Sequence, residues 1–129
     1  MERVRKRVKY KQRVIITGGA GFIGSNFLLY LVPKYRDTLF VNVDSLTYAG
    51  NLSNLKAIEK DDNYTFEQIN ICDFTALEDC FHRYQPTGLI HLAAETHVDR
   101  SIVGPAAFVE TNIIGTFNLL ELARKMIDK

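Results

Sequence analysis

Val14-Ile15-Ile16-Thr17-Gly18-Gly19-Ala20-Gly21-Phe22-Ile23-Gly24 is the stretch that decides the fold. Three β-branched residues in a row read as a buried strand, and a glycine cluster follows at once. From Phe22 to Val32 the spacing turns helical, through Ile23, Phe27, Tyr30 and Leu31, and Pro33 ends that helix. Gly18, Gly21 and Gly24 fall three apart. In such a strand–turn–helix, Gly18 permits the tight turn, Gly21 lets phosphates approach the backbone, and Gly24 lets the helix pack closely. The unpaired amides of the helix N-terminus favour an anion.

Working outward, Leu39 to Val43 is a second strand, and Asp44 closes it 20 residues after Gly24. A carboxylate at that distance is placed to meet the ribose hydroxyls of an adenine dinucleotide. It would repel a 2′-phosphate, so NAD is expected rather than NADP. The glycine string alone would be weak; its position between strand and helix, with Asp44 following, gives it weight. The competing reading is an ordinary turn in which Asp44 caps a local group.

Residues 45–62 are polar and turn-rich, with a helical turn or two around Leu52 to Ile58. Tyr64 to Ile69 alternates as a third strand, Thr75 to Tyr84 is a helix with Pro86 in the turn after it, and Leu89 to Ala93 is a fourth strand. Pro105 then opens a long helix to about Lys125. Strands alternating with helices specify an α/β fold with a parallel sheet. Right-handed crossovers and a reversal after the third strand give a Rossmann-type sheet of order 3-2-1-4, with helices on both faces. It is expected to be incomplete: a basic tail at 1–12, then at 13–129 the N-terminal half of an NAD-binding domain, without a substrate domain. The fourth strand would be left as an apolar edge.

The 129 residues suit one domain, and 47% are apolar, enough for a core. Net charge is +1 but uneven. Residues 1–13 hold seven basic groups against one acid, a net of +6, and the rest is −5. A basic stretch can touch nucleic acid or an anionic surface. The plainer reading, a solvated terminus, is preferred, so no nucleic-acid partner is expected. No apolar run reaches bilayer length and no secretory h-region is visible, so no membrane partner and a cytoplasmic location are expected. Cys72 and Cys80 form no metal or disulfide pattern, and no metal is expected. Asn51-Leu52-Ser53 and Asn63-Tyr64-Thr65 match the glycosylation pattern but have no meaning without export.

Ligands of open parallel sheets bind outside the carboxyl ends of the strands, where the order reverses. The fourth strand runs there into Leu92-Ala93-Ala94-Glu95-Thr96-His97-Val98-Asp99-Arg100-Ser101. Ala93 and Ala94 are small enough for a flat cofactor to pass over them. His91 lies within the strand and reads as a hydrogen-bonded core histidine. His97 and Asp99 are either an acid/base pair or, as preferred, shapers of the loop. Arg100 either pairs with an acid or holds a phosphate. Thr111 either reaches back to the cofactor or lies at the surface. Tyr30-x-x-x-Lys34 mimics a catalytic tyrosine–lysine pair, but it sits at the end of the first helix that points away from the carboxyl edge, and it is rejected.

Asp44-Ser45-Leu46-Thr47-Tyr48-Ala49-Gly50-Asn51-Leu52, Asn70-Ile71-Cys72-Asp73 and Ala94 to Ser101 complete the picture. With the glycine loop they resemble the extended short-chain dehydrogenase/reductase family, and within it the dTDP-glucose 4,6-dehydratase family. The likeness runs from Arg13 onward. It implies that Phe22 and Ile23 lie on the pyrophosphate, Asp44, Ser45, Leu46 and Thr47 hold the ribose, and Asn70 and Ile71 border the adenine. Leu92, Ala93, Ala94, Glu95, Thr96 and Thr111 would line the cofactor, with Thr96 also touching the sugar nucleotide. Asn70, Thr96 and Ser45 stand where the family has aspartate, serine and lysine. The implied reaction is an NAD-dependent internal redox elimination of water from dTDP-glucose. The acid–base groups of that reaction would follow residue 129, so no catalytic residue is expected here and the chain alone is expected to be inactive. The resemblance also implies a homodimer through the 105–127 helix, whose apolar residues run round most of its circumference. The alternatives are a non-catalytic NAD-binding module, a piece of a related sugar-nucleotide epimerase or decarboxylase, and a functionless truncated product that self-associates through its open edge.

Overall fold

In the computed structural model the described residues are 9–47, 50–95 and 102–128. Four parallel strands form one sheet: β1 (Gln12–Thr17), β2 (Thr38–Asp44), β3 (Tyr64–Gln68) and β4 (Gly88–His91), in the order β3-β2-β1-β4. The expected order is therefore observed. Ile15 lies between Val41 and Leu89, and Thr17 pairs with His91 at the carboxyl end.

Period-two side chains divide the core into two layers. On one face Ile15, Leu39, Val41 and Val43 pack against α2 (Phe74–Tyr84) and α4 (Thr116–Ile127) through Leu77, Phe81, Tyr84, Leu119 and Leu122. On the other, Ile16 and Phe40 pack against Leu28 and Val32 of α1 (Phe22–Lys34), joined by Leu55 and Ile58. Each fully buried aliphatic side chain stabilises by about 1.5–3 kcal/mol. Helices thus cover both faces. Leu55 belongs to a short 3-10 turn, Leu52–Leu55, inside the long β2–β3 connection.

The helical spacing of α1 is observed, but its buried line is not the bulky one: Ile23 and Tyr30 are 66% and 58% exposed and Leu31 is only partly buried, whereas Gly24, Leu28 and Val32 are buried. A Cβ on Gly24 would lie 2.2 Å from the Gly18 carbonyl oxygen. The missing side chain therefore fixes which way the helix faces, and the i, i+4, i+8 line through Gly24 meets the sheet. Pro33 does not end the helix but sits in its last turn, where little ladder remains to break. The buried Asn63 closes that end, its Nδ2 donating to the carbonyls of Val32 and Tyr35 at 2.9 and 3.1 Å. An amide spent in this way is no glycan acceptor.

The last helix is not one regular α-helix. A short α3 (Pro105–Val109) leads into a π-helical segment, Glu110–Gly115, and then α4. A Cβ at Gly115 would meet the Ile71 side chain at 2.4 Å, so the widened turn rests against the loop after β3. The apolar residues that run round this helix are covered on one side: Gly115, Asn118, Leu119 and Leu122 are buried, while Ile113, Phe117 and Leu120 are about two-thirds exposed, at 62%, 60% and 62%. The basic stretch is partly held by the body. Lys9 and Tyr10 bond to Asp62, and Arg13 donates to the carbonyls of Tyr10, Lys11, Tyr84 and Gln85.

Candidate functional site

The carboxyl ends of β1, β2 and β4 open into a cleft of about 270 Å³. It is lined by Gly18, Gly21, Asp44, Ser45, Thr47, Asn70, Ile71, Leu92, Ala93, Ala94, Glu95 and Thr111, all of them sequence candidates. Reasoning from sequence missed the other lining residues, Val43, Gly50, Ile69, Cys72, Ala107 and Glu110. Phe22, Ile23, Gly24 and Leu46 are not in the lining. Phe22 and Ile23 lie at the mouth of the glycine loop, 83% and 66% exposed, and Gly24 lies behind it. Thr96, His97, Asp99 and Arg100 fall outside the described residues.

Gly18 carries the turn with φ +73°, a left-handed conformation that costs a side chain dearly. Its N–H donates to the Val43 carbonyl at 2.8 Å, drawing the end of β1 across to β2. A Cβ there would stand 2.7 Å from the Ala93 nitrogen, so the loop leans directly on the end of β4. At Gly21 a Cβ would meet only the Gly18 carbonyl, at 3.4 Å, leaving open space above the loop. Gly21 also begins α1 with no side-chain cap, so the first amides remain for a ligand. Among the described lining residues there is no Lys or Arg, and Asp44, Glu95 and Glu110 are acidic. An anion in this cleft must therefore be held by backbone amides and the helix dipole.

Asp44 is nearly buried. One carboxylate oxygen accepts from the Ala20 N–H at 2.9 Å and the other from the Leu46 N–H at 2.8 Å. The local-cap reading and the ribose reading are thus compatible: each oxygen retains acceptor capacity, and the two bonds aim the group. Asn70 behaves likewise, its Oδ1 accepting from the Cys72 N–H at 2.9 Å. The Cys72 thiol is raised above its ordinary pKa by burial and by the nearby Glu110, and it stays protonated at neutral pH.

The wall beyond β4 is tied to the last helix by residues the sequence reading passed over. Asn112 and the Glu95 backbone exchange two bonds: Oδ1 accepts from the Glu95 N–H at 2.9 Å, and Nδ2 donates to its carbonyl at 3.0 Å. Asn118 donates to the Ile71 carbonyl at 3.0 Å. His91 is hydrogen-bonded as expected but half-buried rather than in the core, 2.6 Å from Thr17 Oγ1 through Nδ1 and 2.9 Å from Thr116 Oγ1 through Nε2. Burial lowers its pKa. Polar residues at helical spacing carry no mark of such roles until the partner loops are known. Tyr30 and Lys34 do bond to each other, at the C-terminal end of α1 and away from the cleft. Among the described residues no acidic, histidine or cysteine cluster can hold a metal ion.

Residues 15–129 match the GDP-mannose 4,6 dehydratase family model. The dTDP-glucose 4,6-dehydratase of Salmonella typhimurium is 55% identical over 113 residues, which are 88% of this chain and 31% of that protein. Among solved structures, a dTDP-glucose 4,6-dehydratase of Streptomyces venezuelae with NAD bound is similar at 41% identity and TM-score 0.81, over 89% of this chain and 36% of that one. The UDP-glucose 4-epimerase of Thermus thermophilus in complex with NAD is similar at 33% and 0.77, over 89% and 34%. The chain spans about a third of the length of these relatives.

Proposed function

The chain belongs to the GDP-mannose 4,6 dehydratase family, and from that premise we propose that it is the NAD-holding part of a sugar-nucleotide 4,6-dehydratase acting on dTDP-glucose. The observation that carries this reading is the cleft itself, which gathers Asp44, Asn70, the glycine loop and the Leu92–Glu95 wall at the switch point of the sheet. The fit is chemical. Asp44 presents acceptors to the two ribose hydroxyls. Asn70 and Ile71 border a slot for the adenine. The amides of Phe22 and Ile23, at the uncapped start of α1, face the pyrophosphate, and Ala93 and Ala94 leave room for the nicotinamide ring. Ser45, Thr47, Glu95 and Thr111 complete the lining, and the Leu46 N–H helps aim the Asp44 carboxylate. NAD, when bound, supplies the acceptor and later the donor of the hydride in an internal redox elimination. The part of these residues is to bind and orient it; no acid–base group of the reaction is assigned to them.

Fold likeness alone does not separate a dehydratase from an epimerase, because the two structures match almost equally well. The sequence favours the dehydratase, by 41% against 33% identity to those two structures. We further propose a homodimer through the 105–127 helix, supported by its exposed apolar residues, and a cytoplasmic location. No helix among the described residues is long and apolar enough to cross a membrane. The test is a calorimetric titration of the chain with NAD and NADP, repeated on Asp44→Ala. Saturable NAD binding, weaker for NADP and weakened by the substitution, is expected. A folded chain that binds neither nucleotide would overturn the cofactor assignment, and turnover of dTDP-glucose by these residues alone would overturn the assignment of catalysis elsewhere.

A further inference from the structure

Beneath the cleft, Thr17 Oγ1 is the meeting point of three groups. It lies 3.0 Å from the Leu92 nitrogen, 3.2 Å from the Ala93 nitrogen and 2.6 Å from His91 Nδ1. The Leu92 N–H is shared with the Thr17 carbonyl, also at 3.0 Å, as a three-centre bond. A hydroxyl has one proton and two lone pairs. Backbone amides can only donate, so Leu92 and Ala93 take the lone pairs. The hydroxyl proton is then left for His91, and Nδ1 must be bare.

The lengths agree with that direction. A contact of 2.6 Å suits a hydroxyl donor, whereas the 2.9 Å from Nε2 to Thr116 Oγ1 suits an N–H donor. A neutral imidazole with a bare Nδ1 carries its proton on Nε2. We infer that His91 is a positioning residue held as the neutral Nε2–H tautomer, a fixed linker between Thr17 and Thr116 that sets the Leu92–Ala93 wall of the cleft. The burial that lowers its pKa keeps it neutral. The glycine loop depends on the same peptide, since the Ala93 nitrogen is the nearest atom to a Cβ built on Gly18. One ring thereby joins the ends of β1 and β4 and the start of α4.

The effect on cofactor affinity rests on the proposed function; the tautomer and the wall do not. The test is a long-range proton–nitrogen correlation spectrum of the labelled chain, with amide exchange and NAD titration of the wild type, Thr17→Ser and Thr17→Val. In the wild type the His91 ring should show a protonated Nε2 and a bare Nδ1. Thr17→Val should mix the tautomers, speed exchange at Ala93 about tenfold and weaken NAD severalfold, and Thr17→Ser should behave as the wild type. A wild-type ring protonated at Nδ1 or mixed overturns the inference, as does a serine variant that behaves like the valine variant. If Thr17→Val does not fold, the wild-type ring still decides. A wild type with the expected ring and exchange pattern that binds no NAD supports the linker and removes the proposed function instead.

Discussion

Asp44 meets the cofactor question with both of its oxygens already engaged by backbone amides. Those bonds fix its direction before any ligand arrives, and its removal also leaves the Ala20 and Leu46 N–H groups without this acceptor, so Asp44→Ala should cost some stability as well as binding. A hydrogen bond to a charged group contributes about 1.5–3 kcal/mol, so Asp44→Ala should weaken NAD by roughly 10- to 150-fold in a calorimetric titration. It should weaken NADP less, because the repulsion of a 2′-phosphate disappears with the carboxylate. His91 gives a pH dependence with a definite sign. Burial lowers its pKa in the fold below the ordinary value of about 6.5. The unfolded chain therefore binds the proton first. This contribution to stability is complete above about pH 6.5 and is lost as the pH falls through the lower folded value. Urea midpoints measured from pH 7.5 down to 5 should decline, and His91→Gln should flatten that decline. A slope unchanged by the substitution would assign it to other groups. Both residues were visible in the sequence for positional reasons, one closing a strand and the other inside one. The Thr17 and Thr116 hydroxyls were not, because nothing in a lone threonine tells which strand will bring a histidine to it.

At the scale of elements, the strands and their order were legible because alternation, β-branched runs and glycine punctuation agree with one another. What was not legible lies where tertiary contact overrides local pattern. Ile23, Phe27 and Tyr30 of α1 point outward because the Gly18–Gly24 contact sets the rotation of the helix, and periodicity alone cannot rank a glycine line above a bulkier one. The π segment at 110–115 arises where Gly115 must clear Ile71, a contact across 44 residues. The junction of β3 and α2 was equally hidden. Glu67 is nearly buried and bonds Arg83 at 2.5 Å and the Tyr84 hydroxyl at 2.9 Å. Burial, with Glu67 beside it, pushes the Tyr84 pKa well up. Glu67→Ala would leave a buried hydroxyl and a half-covered guanidinium without this acceptor. Breaking a buried pair costs about 3–5 kcal/mol, and with Arg83 32% exposed a loss of roughly 1–3 kcal/mol is expected by chemical denaturation. Glu67→Gln, which still accepts from Tyr84, should lose less than half of that. Equal losses would mean that the charge, not the hydrogen bond, holds the two elements together.

The whole molecule presents an imbalance. Its sheet is covered on both faces, yet the outer side of the last helix displays Val109, Ile113, Phe117 and Leu120, all between 48% and 62% exposed. Isolated exposed apolar residues are ordinary, but four on successive turns make a contiguous patch of the kind that marks an interface. The inner side of the same helix is already committed, with Leu119 and Leu122 in the core and Asn118 bonded to the Ile71 carbonyl. Charges placed on the outer side should therefore leave the fold alone, since surface substitutions usually change stability by less than about 0.5 kcal/mol. They should abolish association through this helix, because an unpaired carboxylate cannot be buried there without a penalty of several kcal/mol. Sedimentation of the chain at micromolar concentration should thus give a species larger than one chain, and Phe117→Glu with Leu120→Glu should give a monomer of unchanged urea midpoint. A persistent dimer in the double variant would move the interface elsewhere, the open edge of β4 being the other candidate: among the described residues that strand pairs only with β1. Higher, open-ended aggregates that resist the helix substitutions and disappear with Leu89→Lys would identify that edge as the adhesive surface, since a lysine on an edge strand opposes further pairing.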